Sequence, residues 1–500
     1  KTNTKILIAY MDNDFFSPIK YTFNLIFSII GIEFEILTYS EIIKIGSQID
    51  ALLITYGPKK PNLHTKNQIH IYQSSLFGDG YKTLSSMPKL PLKRYLVPPS
   101  RFPEWMDGRK DIPVIYKGNG DLGELVVRDE NIIETNIDII ASSFFMLSRY
   151  EEYLIDERDQ YDRFPASASI AYKEGFLTRP IVNEYIELLW EWIDSFNLGF
   201  KRPRLWNSYD FAACLTHDVD YIKKWNKSGI FSEVRHWGWI GLKKRKPRSA
   251  LKRMVKASVA MLKRDSPYWN LNEIMNIEES YAFSSTFYFF GDGKHTGDAE
   301  YSIFDKEISN QILEIQDRGH EVGLHGGFKS YNDLEILQNE KLQLEKLVGS
   351  IYSIRQHYLK FDVHKTFDLY EKLGIKCDVT LGYAQHEGFR AGICLPFQPY
   401  NVIKDRPYDI IEIPLTIMDG TLSENHKNLT IEQAWESIES ILHTVKNHGG
   451  CIVLLFHNSH IDTLEHLDYL RMYERCLEWI QKHNGFGASA YKIIGKYFQL

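Results

Sequence analysis

The chemistry of this chain is concentrated where one apolar run meets three polar groups. Phe211–Asp220 reads F-A-A-C-L-T-H-D-V-D and ends in His217, Asp218 and Asp220. Such a run is too apolar to face water on one side, which predicts a buried parallel strand. Parallel α/β sheets and barrels place their chemistry at the C-terminal ends of strands. Asp218 and Asp220 stand two residues apart, so on extended chain both carboxylates project to one side. One is suited to hold a metal and the other to take a proton. Desolvated carboxylates without partners are costly, which favours a site over a structural turn.

Three more stretches end in or carry groups of the same kind. Gly319–His325 (G-H-E-V-G-L-H) closes on His325, and Ile351–Phe361 (I-Y-S-I-R-Q-H-Y-L-K-F) carries Arg355 and His357. Cys451–Phe456 (C-I-V-L-L-F) runs into His457, Asn458, Ser459 and His460. A lone histidine is ordinarily a satisfied core or surface group, but a barrel gathers successive strand ends into one face. Aspartate plus histidine with an open position is a ligand set for a hydrolytic divalent metal such as zinc. A neighbouring carboxylate then deprotonates a water, and a histidine protonates the leaving group.

The elements that must position these groups alternate from residue 206 to the end. The strand Ser285–Phe290 and helices over Asp305–Arg318, Asp333–Val348, Thr366–Leu373, Ile431–Lys446 and Leu464–His483 separate the site-bearing strands. That alternation predicts a parallel, barrel-like α/β domain over 206–500. Residues 1–205 read as a smaller α/β unit, with strands at Lys5–Met11, Phe34–Tyr39 and Ala51–Tyr56 and a helix over Tyr21–Ile30. A helical pattern spans Asp138–Asp156, another lies near Ile181–Phe196, and Lys201–Asn207 is the expected linker. The charged stretch Arg149–Glu152 fits ion pairs along a helix, a structural role. No phosphate-binding glycine motif follows a strand.

Composition bounds the classes. Five hundred residues, 44% hydrophobic and 25% charged, make an ordinary globular chain of two or three domains. No apolar run is long enough to span a membrane, and the charged lead into the first strand does not read as a signal peptide. Five cysteines without a C-x-x-C pair fit a reducing cytoplasm, at most at the inner face of a membrane. A basic insertion at about 223–270 holds fourteen Lys or Arg against one acid between Lys223 and Arg264. Its apolar positions Leu251, Val255, Val259 and Leu262 recur at helical spacing, and Trp237 and Trp239 precede them. Three readings stay open: a solvated surface, a peripheral contact with an anionic membrane or lipid-linked substrate, and an anionic glycan. No nucleic-acid recognition motif accompanies the charge.

Taken together, the second domain resembles the polysaccharide deacetylase family, carbohydrate esterase family 4. Thr216-His217-Asp218-Val219-Asp220 is similar to a variant of the family's T-F-D-D-G motif, and Gly319–His325 to its G-H-E-[IV]-G-x-H stretch. The resemblance covers about 208–500 and implies a distorted TIM-type barrel. It implies Asp218 as general base, Asp220 and His325 as metal ligands, His457 as general acid and Arg355 as the group that orients the base. The stretches around Arg355 and Arg390 resemble a divergent bacterial subgroup with its own N-terminal domain.

In one respect the sequence departs from the family. A second histidine is usual four residues after the first, and Lys329 stands there. A protonated lysine is a poor ligand. His357 is the first replacement, His217 a weaker one, and weak or absent metal binding the third outcome. In a working site, the Tyr358 backbone N–H would support the oxyanion, and Asn458 or a nearby acid would hold His457. Arg390, flanked by glycines, would contact substrate or serve a loop salt bridge. The expected activity is metal-dependent removal of acetyl groups from a bacterial cell-surface or cell-wall glycan or its precursor. The rivals are a non-catalytic carbohydrate-binding protein on the same scaffold and a membrane-associated scaffold in glycan assembly.

Overall fold

Every residue of the strand Phe211–Asp218 is buried, as continuous apolarity requires of a strand covered on both faces. The computed structural model describes residues 5–11, 15–45, 51–63, 65–98, 104–106, 108–224, 266–291, 298, 301–422, 429–461 and 467–498, with isolated positions between 235 and 259. Most of the basic insertion, and the membrane contact expected of it, therefore lies outside the described residues. No helix among the described residues is long and apolar enough to cross a membrane.

The chain divides into two units. The first is Lys1–Ser208 with Gly388–Pro414 and His443–Gly450; the second is Tyr209–Glu387 with Leu415–Leu442 and Cys451–Leu500. Two segments read from the sequence as part of 206–500 thus belong with the first unit.

In the first unit, β1 (Lys5–Tyr10), β2 (Phe34–Thr38), β3 (Ala51–Gly57) and β4 (Asn67–Tyr72) lie parallel. A separate antiparallel pair is formed by β5 (Lys93–Leu96) and β6 (Asp111–Val114). With β7 (Val126–Asp129) and β8 (Ile132–Thr135) the main sheet runs β2-β1-β3-β4-β8-β7, antiparallel only between β7 and β8. The helical pattern expected over 138–156 is broken into Ile139–Leu147 and Tyr150–Leu154 by Arg149 at φ 53°. The cause is charge burial. Arg149 is 2% exposed and bonds Glu152 at 2.9 Å, Glu151 at 3.0 Å and the Arg390 carbonyl. Leaving the helix lets one guanidinium satisfy all three acceptors.

In the second unit, the strands are β9 (Phe211–Asp218), β10 (Thr286–Phe290), β11 (Glu321–Gly326), β12 (Ser353–Gln356), β13 (Cys377–Asp378), β14 (Ile417–Met418), β15 (Cys451–Leu455) and β16 (Gly485–Ala488). They run β13-β12-β11-β10-β9-β15-β14, parallel throughout, with β16 also paired to β9. The expected barrel takes the form of a curled, half-barrel-like parallel sheet in a mixed α/β unit. Register sets the strand ends side by side: Phe290 opposes His325, His325 opposes Arg355, and Leu455 opposes Thr216. A side chain at Gly323 would place its Cβ 2.4 Å from the Tyr288 ring. Glycine therefore admits the ring that carries the Arg355 guanidinium, 5.1 Å from its centroid.

The helix Leu334–Val348 begins at Asp333, whose side chain accepts the Ile336 N–H at 3.1 Å. Leu454→Ala, in the fully buried centre of β15, is expected to cost about 2–5 kcal/mol. Asp333→Ala, which removes only a cap, is expected to cost about 1 kcal/mol. Chemical denaturation of both variants checks the ranking; equal losses would contradict the assignment of β15 to the core.

Candidate metal centre

Asp220 lies two residues beyond β9, where buried strand gives way to a turn braced by Tyr301. That hydroxyl donates to the Val219 carbonyl at 2.8 Å, and the Val219 N–H donates to the Tyr288 carbonyl at 3.0 Å. Around Asp220 stand three imidazoles. His325 Nε2 is 3.1 Å from Asp220 Oδ1, His357 Nδ1 is 3.6 Å from the same oxygen, and the two nitrogens are 3.2 Å apart. His457 Nε2 lies 3.8 Å from Asp220 Oδ2. Phe290, at the end of β10, walls the cluster, with its ring 4.5 Å from His325 and 5.0 Å from His357.

These separations fit a metal. Ligand atoms 2.0–2.1 Å from a tetrahedral zinc ion lie roughly 3.3–3.4 Å apart, and the three measured separations bracket that value. Tautomers agree. The His325 Nδ1 donates to the Arg355 carbonyl at 2.9 Å, which turns Nε2 toward Asp220 in the manner of a second partner that fixes a ligating ring. Burial outweighs the attraction of Asp220 at His357 and holds that imidazole below its ordinary value, so the ring is neutral, the ligating form. For Asp220, burial disfavours the charge, but His357, His325 and His457 together overcome it and keep the carboxylate far below the usual range.

Asp218 is 3% exposed, with Oδ2 3.8 Å from His325 Nε2 and Oδ1 3.6 Å from Arg355 Nη1. Arg355, fully buried, is aimed by its Nε, which donates to the Val379 carbonyl at 3.0 Å. His457 is held by Asp419. Its Nδ1 is 2.7 Å from Asp419 Oδ1, and its backbone N–H donates to Oδ2 at 2.7 Å. His460 Nδ1 approaches the same carboxylate at 3.2 Å. Burial alone would lower His457, but the attraction of Asp419 and its hydrogen bond outweigh that and raise it to about 10. Asp419, His457 and His460 also group closely enough to hold an ion, yet the 2.7 Å approach is a hydrogen-bond distance rather than a separation of two ligands.

The structure thus brings together Asp218, Asp220, His325, Arg355, His357 and His457. Tyr358 follows at φ 59°, 41% exposed, with its ring 4.4 Å from His357. Three expected residues go elsewhere. Arg390 is in the first unit, 2% exposed, and donates to Glu152 from Nε at 2.9 Å and from Nη2 at 2.7 Å. Of the two roles expected for it, the salt bridge is the one its side chain makes, inside the first unit and almost without exposure. Asn458 is fully buried and donates to the Tyr221 and Tyr268 carbonyls at 2.7 and 2.9 Å. It ties loops together, and the acid that holds His457 is Asp419. His217 turns to Glu278 and away from the metal position. Lys329 is exposed. The turn before it is held by carboxylates, Glu340 accepting the Gly327 N–H at 3.0 Å and Asp298 the Phe328 N–H at 2.7 Å. Sequence reading missed Asp419, since β14 before it has only two residues.

A family model described as a family of unknown function, DUF7033, matches residues 7–197. Among curated proteins none matches the sequence. Among solved structures, a protein described as a polysaccharide deacetylase from Mycobacterium smegmatis is 16% identical, covering 59% of this chain and 92% of its own, with a TM-score of 0.39. One described as a polysaccharide deacetylase involved in O-antigen biosynthesis, from Bordetella bronchiseptica, is 12% identical, covering 58% and 91%, with a TM-score of 0.28. The peptidoglycan deacetylase PdaC from Bacillus subtilis, as a variant, is 12% identical, covering 46% and 84%, with a TM-score of 0.25.

With metal stripped from the protein, His457 is expected to keep its proton to about pH 10. A raised histidine stabilises the fold fully below its ordinary 6.5, and that contribution is lost as pH climbs toward 10. Imidazole NMR titration of wild type and Asp419→Asn checks this. The variant should titrate well below wild type; identical curves would remove Asp419 as the cause.

Proposed function

We propose that the second unit is a metal-dependent hydrolase that removes acetyl groups from a bacterial cell-surface or cell-wall glycan or its precursor. The observation that carries it is the set of three donor atoms, Asp220 Oδ1, His325 Nε2 and His357 Nδ1, at mutual separations suited to one divalent ion. Asp218 and His457 flank that set as a carboxylate and a protonated imidazole. This pairing suits hydrolysis of a carbonyl compound, and the sugar in the substrate rests on the motif resemblance. Zinc is the expected ion, given two imidazoles and a carboxylate.

A divalent ion at these residues would polarise the acetyl carbonyl and acidify a water. Asp218 accepts a proton from that water as its oxygen bonds to the carbonyl carbon. Arg355, with Nη1 3.6 Å from Asp218 Oδ1, orients the carboxylate that takes the proton. As the carbon–nitrogen bond (or the carbon–oxygen bond of an ester) breaks, His457 gives its proton to the departing atom, and acetate is left. Asp419 steadies His457 while it is charged and fixes Nδ1 as the donor to the carboxylate, leaving Nε2 to face the reaction. The backbone at Tyr358 supports the oxyanion.

Elemental analysis and release of acetate from acetylated oligosaccharides test the proposal. Asp220→Ala, His325→Ala and His357→Ala should each lose bound metal and activity. Asp218→Asn should keep the metal and lose roughly 10²–10⁴-fold in rate. Full activity in Asp220→Ala or His325→Ala would overturn the hydrolase reading.

A further inference from the structure

One side chain touches the arms bearing Asp218 and His457 without facing the metal position. His217 directly precedes Asp218 and is fully buried. Its Nδ1 lies 2.8 Å from the carbonyl oxygen of Phe456, the residue before His457, and its Nε2 lies 2.8 Å from Glu278 Oε1. The Phe456 N–H donates to the Thr216 carbonyl at 3.1 Å. Residue 456 is therefore gripped through both its N–H and its C=O by two consecutive residues of β9.

The partners of the ring are themselves held in place. A carbonyl only accepts, so Nδ1 donates to it. Glu278 is ionised: burial opposes the charge, but the attraction and hydrogen bond of His217 outweigh it and hold the acid below its usual range. The carboxylate also accepts from the Tyr473 hydroxyl and, at 2.6 Å, from the Ser285 hydroxyl. His320 Nδ1 stands 3.5 Å from its other side. The His217 ring thus lies within hydrogen-bond reach of an acceptor at each nitrogen, and neither His217 nor Glu278 is exposed.

Stability alone does not account for this arrangement. Replacing buried polar partners by well-packed apolar groups is often neutral or stabilising, and the neighbouring Phe287 ring, 4.9 Å away, offers an apolar surface to pack on. What an apolar residue could not do is bind the Phe456 carbonyl. The strands β9 and β15 end side by side, and beyond their ends the chain leaves the ladder, so the spacing of the next residues depends on such a tie.

We propose that His217 is a positioning residue that sets the separation of the proton acceptor Asp218 and the proton donor His457 through its bond to the Phe456 carbonyl. This rests on the hydrolase reading. Glu278 lies against the other ring nitrogen and is itself held by the Tyr473 and Ser285 hydroxyls. Displacements of about 1 Å among reacting groups cost up to 10²-fold in rate, so such a tie matters to turnover and not to metal loading.

Two substitutions separate the bonds. Asparagine at 217 puts an amide nitrogen near the place of Nδ1, and glutamine near that of Nε2. Each is paired with Glu278→Gln, so that no buried carboxylate loses its partner. His217→Asn should keep kcat within about threefold of wild type, whereas His217→Gln should lose roughly 10- to 100-fold, with KM and bound metal unchanged in both. Tyr473→Phe, which leaves the carbonyl bond in place, should keep the wild-type kcat and covers the case in which the double variants fail to fold. Equal kcat in the Asn and Gln variants, or a loss of about tenfold or more in Tyr473→Phe, would overturn the positioning role while the active wild type upheld the hydrolase. A wild type without metal or deacetylase activity would overturn both.

Discussion

Two carboxylates, Asp218 and Asp220, emerge from a strand with no exposed residue, and their charge must be answered within a few ångströms. Burying an ionised carboxylate without a partner is prohibitive. The answer comes from the ends of the neighbouring strands: Arg355 behind Asp218, His325 between the two acids, His357 and His457 around Asp220. A divalent ion would meet the same demand, since protons and metals compete for the same lone pairs. Charge balance and ligand geometry therefore point to one place. Asp419 repeats the principle on a smaller scale, answering the charge of His457 from the far side.

The order of the sheet makes the convergence possible. With β9 in the middle and all strands parallel, residues far apart in sequence leave the sheet at one edge. With Lys329 exposed in the turn after His325, the second imidazole beside Asp220 comes from the next strand. His357 follows β12 directly, in a turn where Tyr358 and Leu359 take φ of 59° and 53°. Left-handed conformations are costly for such residues and gather at functional sites. Here they bend the chain so that the His357 Nδ1 closes on Asp220 and His325.

Much of this was legible in the residues themselves. Continuous apolar runs marked β9 and β15, the alternation of strand and helix marked β11, and the polar groups that end them are the ones that meet. What remained hidden depends on long-range packing. Asp419 follows a strand too short to carry a pattern. The glycines around Arg390 suggested approach to a ligand; instead Gly388 at φ 130° lies against the Leu177 backbone, a tight fit inside the first unit. Arg149 looked helical by spacing, yet the acceptors around it outweigh one helical residue. His217 read as a metal ligand held in reserve because composition cannot show on which side of a strand a ring finds its acceptor.

X-ray absorption spectroscopy of the zinc-loaded protein tests the central claim most directly. Two imidazole nitrogens and a carboxylate oxygen are expected in the innermost shell, at about 2.0–2.1 Å, with one imidazole lost in His357→Ala. A spectrum with one imidazole in wild type, or one unchanged in His357→Ala, would contradict the proposal that His357 is a ligand where Lys329 is not.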